Sequence, residues 1–168
     1  YFDVEHDGRH YEKIEFGLPG QHNAENALAV FGLLMEIGVA EQYIRVAFSS
    51  YLGVKRRFDY QLRREDLVII DDYAHPPSEL KALFTSVKLI YPTKKITVVF
   101  QPHLYSRTRD FIDEFAQELS VIDDVYLLDI YPAREEPIPG ITSEVLLHLV
   151  GSAHRYLSSK EQIVYDLQ

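Results

Sequence analysis

Along the chain, apolar residues recur first at alternate positions, then at every third or fourth, and finally as short apolar runs separated by helical stripes. From Tyr1 to Gly17 the alternation predicts two strands, and Asp7-Gly8 between them accepts the positive φ angles of a tight hairpin turn. After Leu18-Pro19-Gly20, residues Ala27, Leu28, Phe31, Leu34 and Met35 keep helical spacing as far as Gly38, a helix stop. A second, shorter helix carries Ile44, Ala47, Phe48 and Tyr51 and ends at Gly53, after which Arg57 to Leu62 alternates as a strand. The rhythm then becomes regular. Apolar runs at Leu67 to Ile70, Ile96 to Phe100 and Val125 to Ile130 are separated by amphipathic stripes. One stripe is Leu80, Leu83, Phe84, Val87 and Ile90; the other is Phe111, Ile112, Phe115, Leu119 and Ile122. Strands that alternate with helices predict a parallel sheet. Thr142 to Val150 reads as a further helix, and Lys160 to Gln168 as a helix interrupted by the end of the chain, so the sheet is expected to lack its last strand.

The change of rhythm divides the chain. Residues 1–54, a hairpin with two helices and no parallel sheet of their own, are expected to belong to a preceding domain. Residues 55–168 are expected to form an α/β domain, Rossmann-like, with a mostly parallel sheet and flanking helices, and Gly53-Val54-Lys55 as the crossing. Composition narrows the partners. Of 168 residues, 46% are hydrophobic and 26% charged, the balance of a globular protein. With 17 Lys and Arg against 26 Asp and Glu, the net charge of -9 disfavours nucleic acid. The absence of cysteine excludes disulfides, thiolate metal sites and a cysteine nucleophile, and no apolar run approaches the roughly 20 residues of a membrane helix. No membrane partner is expected, and a cytoplasmic location is.

In an open parallel sheet, ligands gather beyond the carboxyl ends of the strands, where loops and helix amino termini converge. Two polar clusters fall at such ends. Asp71-Asp72-Tyr73-Ala74-His75-Pro76-Pro77 follows one apolar run, and Gln101-Pro102-His103-Leu104-Tyr105-Ser106-Arg107-Thr108-Arg109-Asp110 follows the next. A carboxylate such as Asp72 is a turn or cap residue in the plain reading, or an acceptor for two ribose hydroxyls in the functional one. His75 and His103 are ordinary loop histidines taken singly, but they occupy matching strand ends. Arg107 and Arg109 stand in the first turn of a helix, where cations oppose the macrodipole unless an anionic ligand joins them. Only one of the two need point inward. Nearer the start, Asn23 reads as an N-cap, whereas Asn26 has no such role and its amide suits an adenine edge.

Taken in order, GQHNAENALAV, GVKRRFDY, DDYAHPP, FQPHLYSRTRDF and DIYPAREEPIPG resemble blocks of the Mur ligase family, the last two most closely its alanine-adding branch. The resemblance implies that the chain is the carboxy-terminal part of an ATP-dependent amide ligase of peptidoglycan synthesis. ATP would phosphorylate the lactyl carboxylate of UDP-N-acetylmuramate, and L-alanine would attack the acyl phosphate. By matching motif positions, it implies His22, Asn23 and Asn26 beside the adenine, with Arg57 and Asp72 at the ribose and phosphates. Tyr73, His75, His103 and Arg107 would line the amino-acid side, with His75, His103 and Arg107 as the catalytic set. The pattern departs from the family at Ala74, Pro76 and Leu104. No G-x-x-x-x-G-K-[ST] loop occurs in the 168 residues, so the phosphate cradle, the Mg2+ ligands and the UDP-binding domain are expected outside them, and these residues alone are expected to be inactive. Two other readings compete: a ligase that recycles a ready-made peptide, and a non-catalytic flavodoxin-like binding module whose sheet would be closed by its own last strand.

Overall fold

A computed structural model describes residues 1–167, which divide into two compact units: Tyr1–Tyr73 with Thr85–Ile90, and Ala74–Phe84 with the chain from Tyr91 onward. The first unit opens on an antiparallel hairpin, β1 (Phe2–His6) and β2 (Arg9–Ile14), closed by Asp7 at φ 49° and Gly8 at φ 71°. Two successive left-handed residues give the turn whose twist matches the strands, as the sequence predicts. Helix α1 (Gln21–Glu36) stops at Gly38, whose positive φ lets its N–H reach the Met35 carbonyl while the Val39 N–H reaches that of Leu34. Against the hairpin pack α1 and α2 (Glu41–Ser50), burying Val4, Tyr11, Ile14, Ala27, Phe31, Ile44 and Phe48. Arg45 fastens α2 to the hairpin: it pairs with Glu41 at 2.7 Å and donates to the backbone carbonyls of Glu12 and Lys13. Leu28, expected in this core, is instead 45% exposed, because the buried stripe of α1 runs through Asn23, Ala27 and Phe31.

Asn23 is not the N-cap. Gly20 takes that position at φ 101°, and Asn23 lies buried inside the first turn, where its Nδ2 donates to the Pro19 carbonyl at 2.7 Å. The unit also holds β3 (Asp59–Arg63) and β4 (Val68–Asp71), which pair antiparallel. The apolar run at Leu67 to Ile70 is therefore no member of the parallel ladder. Its hydrogen bonds are taken by β3, and Ile69 is left 46% exposed.

The parallel sheet of the second unit has the order β5-β6-β7, formed by β5 (Thr97–Phe100), β6 (Asp124–Leu127) and β7 (His154–Leu157). The sequence reading missed β7, because all four of its residues are exposed and show no apolar alternation. Helix α3 (Pro77–Ile90) buries Leu80 and Phe84, and α5 (Ile112–Leu119) buries Phe115, Ala116 and Leu119. These join Phe100, Ile122, Val125, Leu127, Leu146 and Val150 in one core. The helix expected to begin near Arg107 is broken at Phe111 (φ -126°), which separates α4 (Tyr105–Asp110) from α5 and leaves the phenylalanine 44% exposed. Helix α6 (Ser143–Leu149) lies within the expected span of Thr142 to Val150, and Thr142 caps it, its hydroxyl accepting from the Val145 N–H at 3.1 Å. At the end of the chain only α7 (Ile163–Asp166) is helical, and Gln168, included in the expected helix, lies outside the described residues.

Candidate functional site

At the carboxyl end of the parallel sheet, the loops after β5 and β6 are zipped together by backbone bonds. Leu104 N–H donates to the Tyr131 carbonyl at 2.9 Å, and Tyr131 N–H donates to that of Pro102 at 2.8 Å, so His103 and Tyr131 form a parallel bridge. The bridge stacks their rings, with centroids 5.5 Å apart and planes at 27°. His75 approaches the same imidazole edge-on, at 6.2 Å and 70°. Its own orientation is fixed by Glu79, whose Oε2 accepts from the His75 backbone N–H at 3.2 Å and lies 3.3 Å from Nδ1.

Arg107 completes the group. Its Nη1 lies 3.3 Å from His103 Nδ1 and 3.4 Å from the His103 carbonyl oxygen. A guanidinium only donates, so the contact with Nδ1 is a hydrogen bond when that nitrogen carries no proton. Burial pushes the His103 pKa below its ordinary value, and the positive charge of Arg107 and the neighbouring His75 push it the same way, against a smaller opposing effect of Glu135. The imidazole is thus held neutral beside a fixed cation. Arg109 takes the other course, pairing with Asp110 at 2.7 Å on the surface. Of the two arginines, Arg107 is the one that turns inward.

His75, His103 and Arg107 are therefore brought together within the second unit. Tyr131 belongs with them, as does Glu135, whose carboxylate accepts from the Ser106 N–H at 3.0 Å and from its hydroxyl at 2.5 Å. Those bonds hold the Glu135 pKa below the ordinary carboxylate value. Tyr131 and Glu135 were legible only as letters of the YPAREEPIPG block; their spacing gave no sign that Tyr131 would meet a histidine 28 residues earlier by ladder pairing. An open depression of about 420 Å³ is lined by Tyr131, Pro132, Ala133 and Arg134.

The remaining sequence-predicted site residues lie in the first unit. Asp72 Oδ2 accepts from the Phe58 N–H at 2.7 Å, and Tyr73 N–H donates to the Arg56 carbonyl at 2.7 Å. The Tyr73 ring receives the guanidinium of Arg56 at 4.7 Å, whereas Arg57 is exposed and its N–H donates to the Val54 carbonyl. On α1, Asn23 is occupied by the Pro19 carbonyl and Asn26 is exposed. His22 differs from both: its Nδ1 is buried without a hydrogen-bond partner, a costly state that a ligand group would relieve. His6, Asp7 and Glu36 stand close enough to share a cation, but they lie outside every motif, and His6 already lies 4.0 Å from Asp7 and 3.5 Å from Glu36.

A three-stranded parallel sheet flanked by helices, with His75, His103 and Arg107 gathered at its carboxyl edge, places this unit in the α/β class. Residues 56–168 match the model of the Mur ligase glutamate ligase domain, and the chain belongs to the Mur ligase family. It is 47% identical over 167 residues to the UDP-N-acetylmuramate–L-alanine ligase of Cytophaga hutchinsonii, covering 99% of this chain and 36% of that protein. With the enzyme of the same name from Flavobacterium johnsoniae it shares 44% identity over 167 residues, again 99% of this chain and 37% of the relative. The crystal structure of UDP-N-acetylmuramate-alanine ligase from Thermotoga maritima matches with a TM-score of 0.77 at 28% identity, over 98% of this chain and 35% of that one. A murein peptide ligase from Psychrobacter arcticus matches at 0.61 and 22% identity over 92% of this chain and 32% of that one, a likeness of fold alone. The chain thus spans a little over a third of the length of these curated relatives. Family membership sets aside the flavodoxin-like alternative.

Proposed function

We propose that this chain is the carboxy-terminal part of a cytoplasmic ATP-dependent ligase that joins L-alanine to UDP-N-acetylmuramate. On this reading residues 1–54 close a central ATP-binding domain and residues 55–168 form the amino-acid-receiving domain. The shared name of the 44% and 47% identical relatives favours the alanine-adding reaction over peptide recycling. The observation that carries the reading is Arg107: a guanidinium turned inward onto a neutral imidazole while its neighbour Arg109 is spent on Asp110.

The chemistry is the one that the resemblance to the family implies. The lactyl carboxylate attacks the γ-phosphorus of ATP, forming an acyl phosphate and releasing ADP. The amine of alanine then attacks the acyl carbon, the phosphate leaves, and the nitrogen gives up a proton. Magnesium, held by residues outside this chain, would supply charge neutralisation at the phosphates. Within the chain, Arg107 grips the alanine carboxylate and so holds the amine in line with the acyl group, a gain from positioning. His103 and His75 wall the carboxylate's seat, and neutrality of His103 leaves the net positive charge on Arg107. The buried, unpartnered Nδ1 of His22 supports a nucleotide base near Asn23 and Asn26, with Arg57 and Asp72 assigned to the ribose and phosphates.

In the full-length enzyme, Arg107→Ala is expected to raise the KM for alanine about 10- to 100-fold, the range of one charge-assisted hydrogen-bonding group. The KM for ATP should stay within about twofold. Equal rises for both substrates in steady-state kinetics would remove the assignment.

A further inference from the structure

We propose that Glu135 is a positioning residue that aims Arg107 at the amino-acid carboxylate, an inference that rests on the reading of Arg107 given above. Helix α4 lacks a local cap: the residue before it is Leu104, at φ 74°, and no side chain of the preceding segment bonds its first turn. A short helix with unsatisfied first-turn N–H groups has little reason to keep one orientation. Glu135 supplies what the local sequence omits. From 29 residues away it accepts from both the N–H and the hydroxyl of Ser106, the residue immediately before Arg107.

The loop that carries Glu135 is shaped for this. Ala133 and Arg134 take left-handed φ values of 44° and 85° in succession, and the Glu135 N–H closes the turn on the Pro132 carbonyl at 2.9 Å. Two non-glycine residues held there store conformational cost, which the bonds to Ser106 offset. Together with the Tyr131 and His103 bridge, the clasp ties α4 to the β6 loop on both sides of Leu104.

The use of both oxygens matters as much as their charge. Each carboxylate oxygen of Glu135 is engaged by Ser106, and among the described residues none of the ion pairs includes Arg107. Glu135 thus steadies the helix without capturing the guanidinium that the substrate needs.

The test compares E135A, E135Q and S106A in the full-length ligase by steady-state kinetics. E135A is expected to raise the KM for alanine about tenfold, as one charged hydrogen-bonding group would, with kcat and the KM for ATP within about twofold. E135Q keeps an acceptor for the Ser106 N–H and an amide for its hydroxyl, so it should restore most of the alanine KM. A soluble E135A enzyme with an unchanged alanine KM overturns the proposal, and so do parallel rises for alanine and ATP. Should E135A fail to fold, E135M, which keeps the length of the side chain and removes both acceptors, decides in its place, because a normal alanine KM in that variant overturns the proposal equally; S106A, which cuts only the hydroxyl bond, is expected to show a smaller rise. R107A separates the two layers: if it leaves alanine binding intact, the reading of Arg107 fails; if R107A is impaired and E135A is silent, only the present inference fails.

Discussion

The two ends of the parallel sheet handle charge in opposite ways. At the amino end, Asp124 is buried beside two basic groups: Lys95 Nζ sits 2.6 Å from Oδ2, the Thr97 hydroxyl donates to the same oxygen at 3.3 Å, and His154 Nδ1 lies 3.7 Å from Oδ1, which accepts no hydrogen bond. Lys95 holds the Asp124 carboxyl below its ordinary pKa, and Asp124 in turn raises that of Lys95. At the carboxyl end the neighbour of Arg107 is a neutral imidazole whose protonation burial and the arginine itself oppose. A charge met by counter-charges within the fold belongs to the fold. On the reading proposed above, a cation whose hydrogen-bonding neighbour is an imidazole that resists protonation stays available to an anionic ligand.

The sharpest way to break this contrast is to remove the amino-end carboxylate. Asp124→Ala should lower the stability of the 168-residue chain by about 1–2 kcal/mol, since it releases hydrogen bonds that join β5 to β6 and an ion contact to β7. Urea denaturation measures this. The sign with pH is fixed by the lowered pKa: the contribution of Asp124 is present above the ordinary value of 3.8 and is lost as pH falls through the lowered value. Wild type and variant should therefore converge in acid. Equal midpoints at neutral pH would show that the cluster is incidental.

A finer test lies at the other edge. Arg107→Met removes the second cause of the lowered His103 pKa and leaves the first, burial, in place. The titration midpoint of His103, followed by NMR, should move upward while staying below the ordinary value. Because the folded state disfavours the protonated ring, wild-type stability should decline as pH falls below the ordinary 6.5 toward the lowered value, and the decline should be shallower in the variant. A midpoint that does not move would separate the arginine from the imidazole.

The same contrast explains what was legible in the sequence. Elements set by local chemistry could be read directly: the Asp7-Gly8 turn and the Gly38 stop each depend on residues within a few positions of one another. Partners set by long-range pairing could not. The run at Leu67 to Ile70 reads the same whether its neighbour is parallel or antiparallel, and the exposed edge strand β7 carries no period to detect. His103 and Arg107 were visible because both sit where one strand meets one helix. Tyr131 and Glu135 were not, because they reach the site through the β6 loop by a ladder bridge and a turn of two left-handed residues.

The smallest expected effect is the most discriminating control. Arg109 lies two residues beyond Arg107 on the same short helix, carries the same charge, and would share any general electrostatic attraction for a carboxylate substrate. It differs in being exposed and paired with Asp110, whose hydrogen bond raises its pKa further. Exposed pairs of this kind contribute little to stability. Arg109→Ala in the full-length ligase is therefore expected to change the KM for alanine less than about twofold and to leave the thermal midpoint unmoved, beside a 10- to 100-fold effect at Arg107. Kinetics at two ionic strengths would complete the comparison, since long-range attraction is screened by salt and a desolvated contact much less so. If Arg109→Ala and Arg107→Ala weakened alanine binding alike, and salt abolished both effects, then net positive charge, and not the inward turn of one guanidinium onto a neutral histidine, would be what draws the substrate.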